Sequence, residues 1–125
     1  MGISLAKEID DSLLLVLKEG RIESISFIGH SLGGIIIRAA LPNLLKYKIY
    51  FKTYMSLSSP HLGVGASDSK LVETGLNFLT SWKKYTCLKQ LGMKDNEDPR
   101  KSYLYQLTTQ EGLNWFKNII FVSSP

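Results

Sequence analysis

The 125 residues of this chain are 44% hydrophobic and 21% charged, a composition typical of one globular domain with its own core. The net charge is +4 at pH 7, but the basic residues are scattered, which argues against a nucleic-acid surface. The longest apolar run, Leu13 to Leu17, is far shorter than the ~18 residues of a membrane span. No signal peptide is recognisable, and the single cysteine, Cys87, excludes an internal disulfide, so we expect an intracellular, cytoplasmic protein.

The N-terminal part predicts a helix followed by a strand. Apolar residues recur at helical spacing from Ser4 to Lys18, and Gly20 stands where a C-cap glycine is expected. The predicted apolar face consists of Ala6, Ile9, Leu13, Val16 and Leu17. The segment from Ile22 to Ile28 is rich in Ile, Ser and Phe and is too short for a typical helix. It therefore predicts a buried strand.

The rest of the chain continues the alternation of helices and strands. A helix is predicted from Leu32 to Leu41, where Pro42 prevents it from continuing unchanged. Further β-rich segments run from Ile49 to Leu57 and from Asn118 to Val122. This order predicts the α/β class, with a mostly parallel sheet covered by helices on both faces.

Residues 66–112, between the second and third predicted strands, have a different, helical pattern. Ser67 and Asp68 are suitable caps for an amphipathic helix that extends to Trp82. One interpretation is a lid-like insertion in which Phe78 and Trp82 offer apolar surface to an acyl chain. The other is that these residues cover the sheet, because a packed helix and an exposed one have the same periodicity.

A catalytic motif, Gly29-His30-Ser31-Leu32-Gly33, lies between the first predicted strand and the helix that follows it. In such a nucleophile elbow the chain turns sharply from strand to helix, so that the Ser31 hydroxyl is presented for attack on a carbonyl. The Leu32 N–H then points towards the developing oxyanion. We expect a Cβ at either flanking glycine to collide with the neighbouring strand or helix. Gly34 adds a glycine that lets the helix pack close to the sheet; the alternative is a purely structural turn.

Five blocks of the sequence resemble, in the same order, the eukaryotic "putative serine esterase" family of lipase-like α/β-hydrolases. These blocks are residues 24–34, 38–42, 56–63, 97–100 and 121–125. The resemblance implies a three-layer α/β-hydrolase sandwich and hydrolysis of a carboxylic ester, of a lipid or another acyl substrate. It implies no metal and no cofactor.

The sequence does not provide a complete catalytic triad. In this fold the order along the chain is serine, acid, histidine. The chain has two histidines, His30 and His61. The His30 side chain should point away from the Ser31 hydroxyl. No Asp or Glu lies between Ser31 and His61, so His61 does not satisfy the required order. A permuted arrangement of His61 with Asp68 is the alternative, since triads are defined by geometry. We expect both histidines to line the substrate-binding site instead, His61 in a loop at the site entrance.

These observations predict that residues 1–125 are the central part of one α/β-hydrolase domain, incomplete at both ends, with Met1 internal to its parent. We expect the triad acid and histidine beyond Pro125. The function predicted for the parent is that of a serine esterase or lipase with Ser31 as nucleophile. The alternative is a non-catalytic interaction module or inactive fragment that kept the fold without the triad. The oligomeric state is left open.

Overall fold

Three parallel strands form one sheet in the computed structural model, which describes residues 1–64 and 80–123. The strands are β1 (Ile25–His30), β2 (Phe51–Leu57) and β3 (Asn118–Val122), in the spatial order β1-β2-β3. The chain divides into two compact units, residues 1–59 with 110–125 and residues 60–109, and the sheet belongs to the first. The predicted α/β class and parallel sheet are therefore confirmed.

Helices of the first unit connect and cover these strands. They are α1 (Gly2–Glu19), α2 (Leu32–Ala40) and two 3-10 helices, Leu41–Tyr50 and Leu113–Trp115. The helix after the elbow ends one residue earlier than predicted, because the chain tightens into the first of these 3-10 helices around Pro42. Proline at this position removes a backbone donor and opposes continuation of the α-helix.

Strand boundaries depend on pairing partners that the sequence does not specify. The first strand begins at Ile25 instead of Ile22 because its register starts opposite Phe51, the first residue of β2. It continues to His30, which is paired with Leu57. The predicted start of the second strand at Ile49 is also wrong, since Ile49 lies in the 3-10 helix Leu41–Tyr50 and β2 begins at Phe51. The bounds predicted for β3 are confirmed.

At the C-terminal end of α1 one prediction is wrong and one is confirmed. Ala6 is buried, but Val16 and Leu17 are 47% and 41% exposed, so the predicted apolar face loses its cover in the last turns. Gly20 is the C-cap residue of the helix, as predicted, but its φ of −176° is an extended conformation that any residue adopts and not the left-handed one that favours glycine. Its N–H donates to the Val16 carbonyl (2.9 Å), which ends the helix without a glycine-specific geometry.

The core of the first unit lies between its helices and one face of the sheet. Phe51 stacks on Phe116 with ring centroids 4.7 Å apart, and Tyr54 packs against Phe116 at 5.7 Å. Their partners from the helices include Ala6, Ile37, Ala40, Leu41, Leu44 and Tyr47. The opposite face carries exposed residues such as Ile28 (68%) and Val122 (47%). Within the first unit, the described helices pack on one side of the sheet, and the predicted cover on its other face stays a prediction.

The second unit contains α3 (Ser81–Leu91), a 3-10 helix (Pro99–Lys101) and α4 (Tyr103–Thr109) among its described residues. The buried side chains of this unit are Cys87, Leu91, Ser102, Leu104 and Leu107. Aspartate side chains begin the short helices: the carboxylate of Asp98 accepts from Arg100 N–H (2.9 Å) and that of Asp95 from Tyr103 N–H (2.8 Å).

The proposed lid, residues 66–112, is only partly described. Trp82 is 76% exposed at the start of α3. Ser67, Asp68 and Phe78 lie outside the described residues, and the lid interpretation stays a prediction.

Candidate active site

The carboxyl ends of β1 and β2 are joined to neighbouring strands by hydrogen bonds just beyond the regular ladder. Ser31 N–H donates to the Leu57 carbonyl (2.9 Å), and Ser58 N–H donates to the Val122 carbonyl (2.7 Å). In parallel α/β sheets, ligands bind outside this edge. The two bonds fix the backbone of Ser31 and Ser58 at this edge.

Ser31 has a strained backbone conformation. Its φ and ψ are 53° and −126°, a region that residues with a side chain rarely adopt, and it stands directly between the last residue of β1 and the first of α2. Such strain costs of order 1–3 kcal/mol and is kept where a sharp turn is needed. The strand thus passes into the helix with no intervening loop, as an elbow requires.

Two glycines allow this turn to pack, but they are not both the predicted ones. A Cβ on Gly29 would lie 2.5 Å from the Cα and N atoms of Gly34, so the collision expected there is confirmed. A Cβ on Gly33 would meet nothing within 4 Å, and the collision predicted for it is wrong. The close approach occurs at Gly34, where a Cβ would contact Ser59 Oγ and lie 2.9 Å from Ser56 Oγ.

The first turn of α2 provides a hydrogen-bond donor beside the Ser31 side chain. Leu32 is the first residue of this helix, so its N–H has no acceptor within the helix. The Ser31 carbonyl accepts a hydrogen bond from Gly34 N–H (3.3 Å), which closes the turn. The unsatisfied Leu32 N–H and the helix dipole of α2 both favour a negative charge at the N-terminus of this helix.

The two histidines belong to different units of the chain. His30 ends β1, where it is paired with Leu57 of β2, and it is exposed. His61 is half-buried in a turn of the second unit that the Gly63 N–H closes on the Pro60 carbonyl (3.0 Å). Asp68 lies outside the described residues. The substrate-binding roles of His30 and His61 therefore stay predictions.

Tyr54 and Ser56 of β2 and Arg38 of α2 were not predicted from the sequence as part of the site. The Tyr54 hydroxyl donates to the Gly34 carbonyl (2.8 Å) and accepts a hydrogen bond from Ser56. Burial raises the pKa of Tyr54, while the Ser56 hydrogen bond and the positive charge of Arg38 act in the opposite direction. Burial also lowers the pKa of Arg38. The available signal was the spacing of Tyr54 and Ser56, two positions apart and therefore on the same face of β2.

The described residues lack a metal-binding cluster and a membrane-spanning helix. They contain no group of three or more His, Cys, Asp or Glu side chains arranged to hold a metal ion. Within the same ranges, no helix combines the length and the apolar character needed to cross a membrane.

Comparison with known proteins gives a family match over the whole chain. Residues 1–125 match the family described as "Putative serine esterase (DUF676)". Two Saccharomyces cerevisiae proteins are similar: "Putative lipase YDL109C", 34% identical over 116 residues, and "Putative lipase ROG1", 28% identical over 110 residues. The matched segments cover 88% and 83% of this chain but 17% and 16% of the yeast proteins, so the chain spans about one sixth of their length. No solved structure matches the chain.

Proposed function

Because the chain belongs to this serine esterase family, we propose that it carries the nucleophile of a carboxylic ester hydrolase of the lipase or esterase type. Ser31 is the nucleophile, and the Leu32 N–H is one donor of the oxyanion hole. The supporting observation is the strained backbone of Ser31 (φ 53°) at a junction where a strand passes directly into a helix. The substrate is an ester with an acyl chain, as the names of the yeast relatives suggest.

The proposed reaction is acyl transfer through a covalent intermediate. The Ser31 oxygen bonds to the ester carbonyl carbon while a general base takes the hydroxyl proton. The carbonyl oxygen becomes an oxyanion, which the Leu32 N–H stabilises; one such donor is typically worth about 3 kcal/mol of the barrier. Collapse of this intermediate breaks the bond to the alcohol, which leaves with the proton. Water then releases the acid from Ser31 by the same steps in reverse order.

The general base and its acid partner come from outside the first unit's described residues in this proposal. The sequence of that unit contains one histidine, His30, and it is adjacent to Ser31. In this proposal both groups follow Ser31 in the order serine, acid, histidine, at positions beyond Pro125. The intact parent protein is therefore the species to test.

Labelling with a fluorophosphonate probe tests the assignment of Ser31. We expect the intact protein to be labelled at Ser31, and Ser31→Ala to abolish labelling and to lower ester hydrolysis by roughly 10³-fold or more. Ser58→Ala is the matched control, because Ser58 lies at the same edge of the sheet with a similar φ of 49°. It should retain labelling.

Two outcomes would contradict the proposal. Labelling that disappears in Ser58→Ala but persists in Ser31→Ala would move the nucleophile to the second strand. An intact protein that is folded yet unlabelled and inactive on short-chain esters would favour the alternative function, a non-catalytic interaction module with an α/β-hydrolase-like fold.

A further inference from the structure

A buried chain of hydrogen bonds connects β2 to the elbow. The Tyr54 side chain is fully buried and Ser56 is 2% exposed. Ser56 donates to the Tyr54 hydroxyl, which in turn donates to the Gly34 carbonyl (2.8 Å). Gly34 N–H donates to the Ser31 carbonyl (3.3 Å). Two residues of β2, one of α2 and the N-cap residue Ser31 are thus linked in series, and the series ends at Ser31.

Gly34 is held from three directions in this arrangement. Its N–H is bonded to Ser31 and its carbonyl to Tyr54, and its backbone lies against Gly29, where no Cβ fits. The first turn of α2 includes Gly34 together with Leu32, whose N–H is the proposed oxyanion donor. A displacement of Gly34 would therefore move this donor relative to the Ser31 hydroxyl.

The hydroxyl of Tyr54 is not needed to fill the core. Its ring packs between Phe116 and Phe121, with centroid distances of 5.7 and 6.0 Å, and a phenylalanine ring would make the same contacts. A buried hydroxyl is unfavourable unless it is hydrogen-bonded. Burial raises the pKa of Tyr54, so the hydroxyl stays protonated and remains a donor. We therefore interpret the function of the Tyr54 hydroxyl as the hydrogen bond that it donates to the Gly34 carbonyl.

We propose that Tyr54 is a positioning residue for the hydrolase, which holds the first turn of α2 so that the Leu32 N–H and the Ser31 hydroxyl keep their catalytic geometry. This inference rests on the proposed function. The Tyr54 hydroxyl does not contact substrate; it acts through the Gly34 backbone. Ser56 supports it by orienting the Tyr54 hydroxyl towards the Gly34 carbonyl.

The test compares two Tyr→Phe variants of the intact protein. Tyr47 is also buried in the first unit, and its hydroxyl donates to a side chain, Asp10 Oδ1 (2.5 Å), that belongs to α1 and not to the elbow. We expect Tyr54→Phe to lower the fluorophosphonate labelling rate and kcat about tenfold, with KM unchanged, because a misplaced donor weakens only the transition state. Tyr47→Phe should retain the wild-type rate and kcat.

Each outcome decides the role of Tyr54. Wild-type values in both variants, or equal losses in both, would overturn the positioning role while labelling of Ser31 in the wild type upholds the proposed function. No labelling of the wild type would overturn both. Should Tyr54→Phe fail to fold, Ser56→Ala replaces it; we expect about a threefold loss of kcat from removing the outer bond of the series. An unchanged kcat in Ser56→Ala would then overturn the inference.

Discussion

Two buried tyrosines of the first unit use their hydroxyls in different ways. Tyr54 donates to a backbone carbonyl, that of Gly34, in a turn where two chain segments approach too closely for a Cβ. Tyr47 donates to the Asp10 carboxylate, which also forms a salt bridge with Lys46 (2.6 Å). The Tyr54 bond connects a core side chain to the backbone of the elbow. The Tyr47 bond connects α1 to the 3-10 helix of residues 41–50 through side chains.

The difference lies in how much each region can adjust. Lys46 and Asp10 are partly exposed, so water and salt replace part of their interaction when it is broken. The elbow has no such freedom, since its neighbours are backbone atoms of Gly29 and Gly34 and buried hydroxyls. We therefore expect small changes at the elbow to have large effects, and changes at the Asp10 link to have small ones.

Glycine substitutions give the largest expected effect. Gly29→Ala places a Cβ 2.5 Å from backbone atoms of Gly34, so we expect a loss of about 3 kcal/mol or more in the free energy of unfolding. Gly33→Ala is the matched control: its Cβ meets nothing within 4 Å, and alanine favours the helix by up to about 1 kcal/mol. Denaturant unfolding of both variants measures the contrast. Equal destabilisation would show that the elbow is not tightly packed.

The fold could be predicted where local pattern alone decides it. The third strand has the predicted bounds, and the helix after the elbow ends one residue earlier than predicted. The exposure of Val16 and Leu17 could not be predicted, because helical periodicity shows which residues share a face but not whether another element covers it.

The elbow itself was visible in the sequence, but its supports were not. The motif predicted a strand, a turn at Ser31 and a helix, and this order is observed. It could not distinguish Gly33 from Gly34, since which glycine faces β2 depends on how the helix packs. Nor could it reveal the bond from Tyr54 to Gly34, which joins residues 20 positions apart.

Substitution of Ser31 itself is expected to have an intermediate effect on stability. Glycine adopts φ 53° without steric strain, so Ser31→Gly should raise the free energy of unfolding by about 1 kcal/mol. This net gain is the relieved backbone strain minus the cost of the greater conformational entropy that glycine has in the unfolded chain. Ser31→Ala keeps a Cβ and should stay within about 0.5 kcal/mol of the wild type. Thermal unfolding of the two variants measures this difference. A glycine variant no more stable than the alanine variant would argue against strain at Ser31.

The smallest expected effect is a pH dependence at the Asp10 link. Hydrogen bonds from Lys46, and next from Tyr47, lower the pKa of Asp10 below its ordinary value of 3.8. Because the folded state binds this proton less readily than the unfolded state, the carboxylate stabilises the fold fully above pH 3.8 and loses this effect as the pH falls through the lowered pKa. Asp10→Asn should therefore lower the Tm slightly at pH 7, by an amount that shrinks at about pH 2.5. Asp11→Asn, an exposed neighbour, controls for the loss of charge on α1. A Tm difference between Asp10→Asn and wild type that is unchanged across this range would show that the link does not depend on the ionised carboxylate.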